Sequence, residues 1–167
     1  MIRLRELAPG DAPAIREVYG GESVRFLGRG PMNEREAREF VADASRHARA
    51  DPRARYILGI VARDDLVGVA KLAVIDGHGR ISYILRRDAW GHGHATAAVR
   101  ALLGLAFDVL GLPLVHAKHH VDNPASGHVL AATGFTPFDA ETGFRHYRAR
   151  NPRPRGDLCG TGRTGVT

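Results

Sequence analysis

Apolar positions along the chain switch several times between a strand's alternation and a helix's spacing of three and four. Residues 2–7 alternate and read as a first strand. Asp11 can cap a short helix whose apolar side is Ile15, Val18 and Tyr19, with Gly20-Gly21 as its stop. Asn33 followed by Glu36 resembles a capping box. The helix it opens carries Ala37, Phe40, Val41, Ala44 and Ala48 on one face and stops at Asp51-Pro52. Residues 56–62 and 67–75, joined by the turn Arg63-Asp64-Asp65, form a hairpin of two buried strands. Asp76-Gly77-His78-Gly79 turns the chain into a strand at 80–85. A glycine loop then leads into a long helix from about residue 95. Its apolar face runs through Ala95, Ala98, Val99, Leu102, Leu103, Ala106, Val109 and Leu110, and Gly111 ends it. Residues 114–119 form a strand, Asn123-Pro124 opens a helix that ends at Gly134, and 144–149 is the last strand.

The order β-α-α-β-β-β-α-β-α-β describes an α/β domain around a single mixed sheet, covering residues 1–150. The unit 80–119 is expected to be a right-handed parallel crossover. From Asn151-Pro152 onward Gly, Pro and Arg dominate, which predicts a basic tail over 151–167, mobile or draped on the surface.

Composition narrows the class. With 44% hydrophobic and 25% charged residues, the chain reads as a soluble globular domain. No apolar run reaches the ~18 residues of a membrane span, and the first residues lack a signal-peptide core. Cys159 is the one cysteine and cannot form an internal disulfide. The expected location is therefore the cytoplasm. The net charge of +6 is concentrated in the tail, since residues 148–167 carry +4 and the rest +2. The body is not the basic surface of a DNA-reading domain. Nine histidines raise the question of zinc, but His116 and His119 point to opposite faces of a strand and no cysteine ligands accompany them, so no metal is expected.

The chemistry concentrates in Trp90-Gly91-His92-Gly93-His94-Ala95-Thr96. Glycines let backbone N–H groups approach a ligand, and the helix start adds unpaired N–H donors with the positive end of its dipole. That combination holds anions. Arg86 and Arg87 are expected to add charge toward a phosphate. A mononucleotide P-loop needs a lysine that His94-Ala95-Thr96 lacks. A dinucleotide fold needs a third glycine, where Thr96 stands, and an acid ending the next strand.

The run 87–96 resembles the acetyl-CoA loop of GNAT-superfamily N-acetyltransferases, in their ribosomal-protein-acetylating (RimJ/RimL-like) branch. Asp122-Asn123-Pro124-Ala125-Ser126 followed by Gly134-Phe135 is similar to that branch's Asn-x-x-Ser motif and closing Gly-Phe. Residues 24–28 and the 33–50 helix resemble its acceptor-side helices. The match spans about residues 2–149. The resemblance implies a GNAT fold, a mostly antiparallel sheet with about four helices, and acetyl-CoA as co-substrate. It implies that Arg87, Trp90 and the backbone of Gly91, His92, Gly93, His94, Ala95 and Thr96 cradle the pyrophosphate. It also implies that the backbone of Ile84, Leu85 and Arg86 pairs with the pantetheine arm, that Asn123 contacts that arm, and that Ser126 lies near the thioester sulfur and protonates the leaving thiolate.

Related enzymes often carry a Glu at the start of the strand before the loop, and here that position is Arg80, which cannot accept a proton at neutral pH. Asp76, His78, His116 and His120 are the substitutes, and His120 is nearest the Asn123 end of its strand. An α-amine of pKa ~7.7–8 needs less help from a base than a lysine amine at ~10.4. The expected acceptor is a primary amine, either a protein N-terminus (a ribosomal protein by resemblance) or a small molecule. Arg25, Arg29, Arg35 and Arg145, in loops that the resemblance implies set the acceptor, either favour an acidic partner or are solvated surface. A homodimer is implied by many relatives. Two alternatives stand beside this reading: a non-catalytic acyl-CoA sensor of the same fold, and an RNA- or ribosome-binding module using the 148–163 arginines.

Overall fold

A computed structural model describes residues 1–154. The expected basic tail lies, beyond Pro154, outside the described residues, as does Cys159. Seven strands form one sheet in the order β1-β2-β3-β4-β5-β7-β6. They are β1 (Ile2–Glu6), β2 (Arg55–Ala62), β3 (Asp65–Ile75), β4 (His78–Leu85), β5 (Leu114–His120), β6 (Thr136–Glu141) and β7 (Phe144–Arg150). Neighbours are antiparallel except β4 and β5, which are parallel as expected. Helices α1 (Ala12–Val18) and α2 (Glu34–Ala48) cover one face, and α3 (His94–Gly104) and α4 (Pro124–Ala132) the other.

The sheet is buried on both faces, so β3 reads as a nearly continuous apolar run. Leu66 and Val69 pack toward α1 and α2 with Ile15, Val18 and Ala37. Val67, Ala70 and Leu72 pack toward α3 and α4 with Ala98, Leu102 and Leu130. Gly68 occurs where β3 passes closest to β4: a Cβ there would lie 2.4 Å from the Ile84 carbonyl oxygen and 2.7 Å from Leu85 Cδ2.

Local chemistry accounts for most element boundaries. The Asn33 side chain accepts from the Glu36 N–H at 2.9 Å, and the Glu36 carboxylate accepts from the Asn33 N–H at 2.7 Å, closing the capping box at the start of α2. Asp11 departs from its expected role. Its carboxylate takes both Arg5 guanidinium nitrogens, at 2.7 and 2.9 Å, and the Ala8 N–H, so it ties β1 to the turn before α1 without capping that helix. Arg5 in turn holds the Asp11 carboxyl below its usual range.

Three expectations change. Gly79 is a buried strand residue, not part of a turn; the β3–β4 hairpin turns on Asp76-Gly77 alone, both with positive φ. The long helix winds as a π-turn over Leu105–Val109. That wider turn rotates its apolar stripe, leaving Val109 64% exposed. Strand β6 was not expected at all. It is a wholly exposed edge strand that buries no apolar face, and Pro137 near its start argues against a strand.

Gly68→Ala forces a methyl against an immovable backbone oxygen and is expected to destabilise the fold by about 1–3 kcal/mol. Urea unfolding measures this, with Gly104→Ala as control. At Gly104 the added Cβ meets nothing nearer than Asp108 Oδ2 at 3.9 Å, and stability should hold or rise.

Candidate active site

The site begins where the two halves of the sheet join. Strands β4 and β5 pair only at Gly79–Val115 and Arg80–His116. Beyond these residues they diverge, and the β5-facing edge of residues 81–85 carries no strand partner, while the opposite edge pairs with β3. A cleft of about 1250 Å³ opens at the split. Tyr83, Asn123, Ser126 and Leu130 line it on one side of the sheet, and Phe26, Phe40, Lys71, Arg80 and His120 on the other.

The glycine loop closes the diverging end of β4. Gly91 and Gly93 have φ of 77° and 76°, a region costly for residues with a Cβ. Gly93 stands at the N-terminus of α3 without a side-chain cap, so the first N–H groups of that helix are left to another partner. The Trp90 indole N–H donates to the Leu85 carbonyl at 3.0 Å, folding the loop back onto the strand. His92 and His94 stack at 5.6 Å. Burial, then His92, the N-terminus and Arg63, depress the His94 pKa, so the ring is neutral in a region of positive potential.

The two arginines before the loop behave differently from expectation. Arg86 binds Asp88 at 2.6 Å and Asp65 at 2.7 Å, with Glu17 at 3.5 Å, and the two aspartates raise its pKa further. Its backbone N–H donates to Val67, away from the open edge. Arg87 binds Glu22 at 2.8 Å and lies over the Trp90 ring. Both charges are neutralised by carboxylates, so these side chains anchor the loop and direct no free charge to a phosphate.

Across the split, Asn123 caps α4 through a bond from the Ser126 N–H to its Oδ1. Gly127 lets the first turn of α4 press onto β5, since a Cβ there would lie 2.8 Å from His119 Nε2. His119 is buried and engaged, its Nδ1 with the His120 carbonyl at 2.7 Å and its Nε2 with the Tyr147 hydroxyl at 3.2 Å. This seating brings Ser126 Oγ within 2.7 Å of the Tyr83 hydroxyl. Tyr83 is a site residue that sequence reasoning missed. It sits in an apolar strand as an ordinary core aromatic, 43 residues from Ser126, and no spacing links them. Burial raises its pKa, so it remains a protonated donor at neutral pH.

The base candidates separate. His116 and His120 line the cleft; Asp76, in the far hairpin turn, and His78 do not. The His120 ring is held between Phe26, stacked at 5.4 Å, and Phe144, edge-on at 5.4 Å, and its Nδ1 accepts the Asp122 N–H at 3.1 Å. Of the four loop arginines, only Arg25 lines the cleft. Arg29 and Arg35 are paired with Glu36 and Glu39, and Arg145 lies outside. Among the described residues no three His, Cys, Asp or Glu side chains converge as a metal site, and no helix is long and apolar enough to cross a membrane.

Because Gly93 holds a left-handed conformation in open space, Gly93→Ala is expected to lose about 1–2 kcal/mol of stability from strain alone. Denaturant titration against Gly10→Ala, an open position without positive φ, isolates the effect.

The chain is 25% identical over 142 residues to the N-acetyltransferase p20 of Bacillus licheniformis, covering 80% of this chain and 78% of that protein. In fold it is similar to RimL, a ribosomal L7/L12 α-N-protein acetyltransferase solved with coenzyme A. That likeness has a TM-score of 0.78 and 19% identity, over 89% of this chain and 93% of the other. It is also similar to spermidine N-acetyltransferase from Vibrio cholerae, solved with CoA and spermine, at TM-score 0.74 and 18% identity over 90% and 95% of the two chains. Residues 2–136 match the family model described as the acetyltransferase (GNAT) domain, and the chain belongs to that family.

Proposed function

We propose that the protein transfers an acetyl group from acetyl-CoA to a primary amine, as a RimJ/RimL-like N-acetyltransferase. The observation that carries this reading is the unpartnered edge of residues 81–85, ending at an uncapped helix start on one side and facing the Tyr83–Ser126 pair on the other. The edge suits the amide groups of a pantetheine arm, which Ile84 and Leu85 would follow and Asn123 would touch; Arg86, its N–H bonded to Val67 and its carbonyl to the Ala89 N–H, would only end that edge. The amides from Gly91 to Thr96 suit its pyrophosphate. When bound, acetyl-CoA supplies an acetyl thioester.

Direct transfer needs an oriented amine, a proton acceptor for it, and a proton for the departing sulfur. In this reading Ser126 Oγ–H gives its proton to the sulfur and regains one from the Tyr83 O–H, 2.7 Å away, which water from the open cleft then reprotonates. His120, fixed by its two aromatic neighbours, takes the amine's proton through water at Nδ1, which gives up the Asp122 N–H as it does so. With Nδ1 occupied by the Asp122 N–H, the neutral ring carries its hydrogen on Nε2. Protonation at Nδ1 then replaces that bond with an approach to the Asp122 carboxylate, 3.7 Å away. An α-amine, already partly neutral, suits so modest a base. A protein N-terminus, including that of a ribosomal protein, is one such acceptor.

Release of CoA from acetyl-CoA, followed over amines and over peptides with free and blocked N-termini, tests the reading. Free N-termini should turn over faster, and a faster blocked, lysine-only peptide would sink the α-amine assignment. Acetyl-CoA binding without CoA release from any acceptor would instead favour the sensor reading. Ser126→Ala should lower kcat by about 10²–10⁴ while leaving acetyl-CoA affinity nearly unchanged, and Tyr83→Phe should lower it less. Full kcat in Ser126→Ala would remove the proton relay.

A further inference from the structure

The acceptor side of the cleft carries more positive charge than its own carboxylates neutralise. Arg55 on β2 and Arg80 on β4 both pair in register with Ala73 of β3, so they flank a single methyl group on one face of the sheet. Strand spacing places their backbones about 10 Å apart, with room above Ala73 for a small group between them. Lys71, two residues along β3 on the same face, completes the triangle. All four residues line the cleft.

None of these three cations has an ion-pair partner among the described residues, whereas most of the surrounding arginines do. The cleft's two carboxylates are engaged elsewhere: Asp43 with Arg46 at 2.9 Å and His47 at 3.6 Å, Glu141 with His146 at 3.0 Å and Lys118 at 4.0 Å. Lys71 is half-buried, with its amine 5.0 Å from the Phe40 ring centre and 5.7 Å from that of Tyr19. Burial first, and then Arg29 and Arg55, depress its pKa, while Asp43 opposes them. A half-buried ammonium among other cations is costly unless an anion joins it. A polyamine acceptor would raise that cost further.

We infer that the acceptor's amine is accompanied by an anionic group, a carboxylate or a phosphate, seated over Ala73 between Arg55, Lys71 and Arg80. The inference rests on the transferase reading and gives Arg80 a purpose. The arginine that stands where related enzymes often carry a base anchors the acceptor's anion.

The test is a series of amines of equal length ending in carboxylate, phosphate monoester, neutral amide or a second amine. Each is assayed for CoA release with acetyl-CoA, and each is titrated calorimetrically into the CoA-loaded protein. The anionic amines should exceed the amide in kcat/KM and in affinity by about tenfold to a hundredfold, with the diamine last. The better of carboxylate and phosphate identifies the anion's source. Lys71→Met, which keeps the side-chain volume, and the exposed Arg80→Gln should each bring the anion-to-amide ratio toward one, with retained CoA binding showing that they fold. An amide or diamine equal to the anionic amines would overturn the inference and leave the transferase reading standing. Binding in the expected order without CoA release would do the reverse. The anionic preference persisting in both variants would also overturn it.

Discussion

The structure depends on a parallel contact between β4 and β5 that is only two residues long. A sheet that paired these strands along their whole length would satisfy every backbone group and leave no site. Here the pairing ends at Arg80 and His116, and the cost of unpaired strand edge is tolerable because the opening is a solvent-accessible cleft lined with polar groups. The split lets α4 lean over β5 and present Ser126 to Tyr83. It also joins the two faces of the sheet into one cleft, so a ligand lying along β4 from the helix side can meet another arriving from the α1–α2 side.

Around this opening the protein is built for rigidity. Arg86 is clamped by three carboxylates, Trp90 is bonded back to Leu85, and His120 is held between two aromatic rings. These contacts fix the ends of β4 and β5, where a few tenths of an ångström would alter the geometry offered to a thioester and an amine. The charges follow the same division. Near the loop, arginines are matched with acids. On the acceptor side, Arg55, Lys71 and Arg80 are not.

What could be read from the sequence was local. The Asn33–Glu36 box, the Asn123-Pro124 helix start and the glycines before α3 are each decided within four residues, by capping or by φ. The cores of β2 and β3 announce themselves because both faces are buried. Strand β6 did not, because an edge strand exposed on both sides buries no apolar face to betray it. The pairing of Arg86 and Arg87 was hidden in part for a related reason: Asp88 is two residues from Arg86, but Asp65, Glu17 and Glu22 are at least 21 residues away in sequence.

By itself, then, the sequence determined the element order up to the last hairpin, a glycine loop at the start of α3, and the motif that seats Ser126. Tertiary structure alone decided which groups meet. The Tyr83 hydroxyl reaches Ser126 because α4 packs over the split, and Gly127 permits that approach. Arg55 and Arg80 flank Ala73 because three strands run in register. Neither outcome has a signature in spacing, since register and packing are settled by the whole core at once.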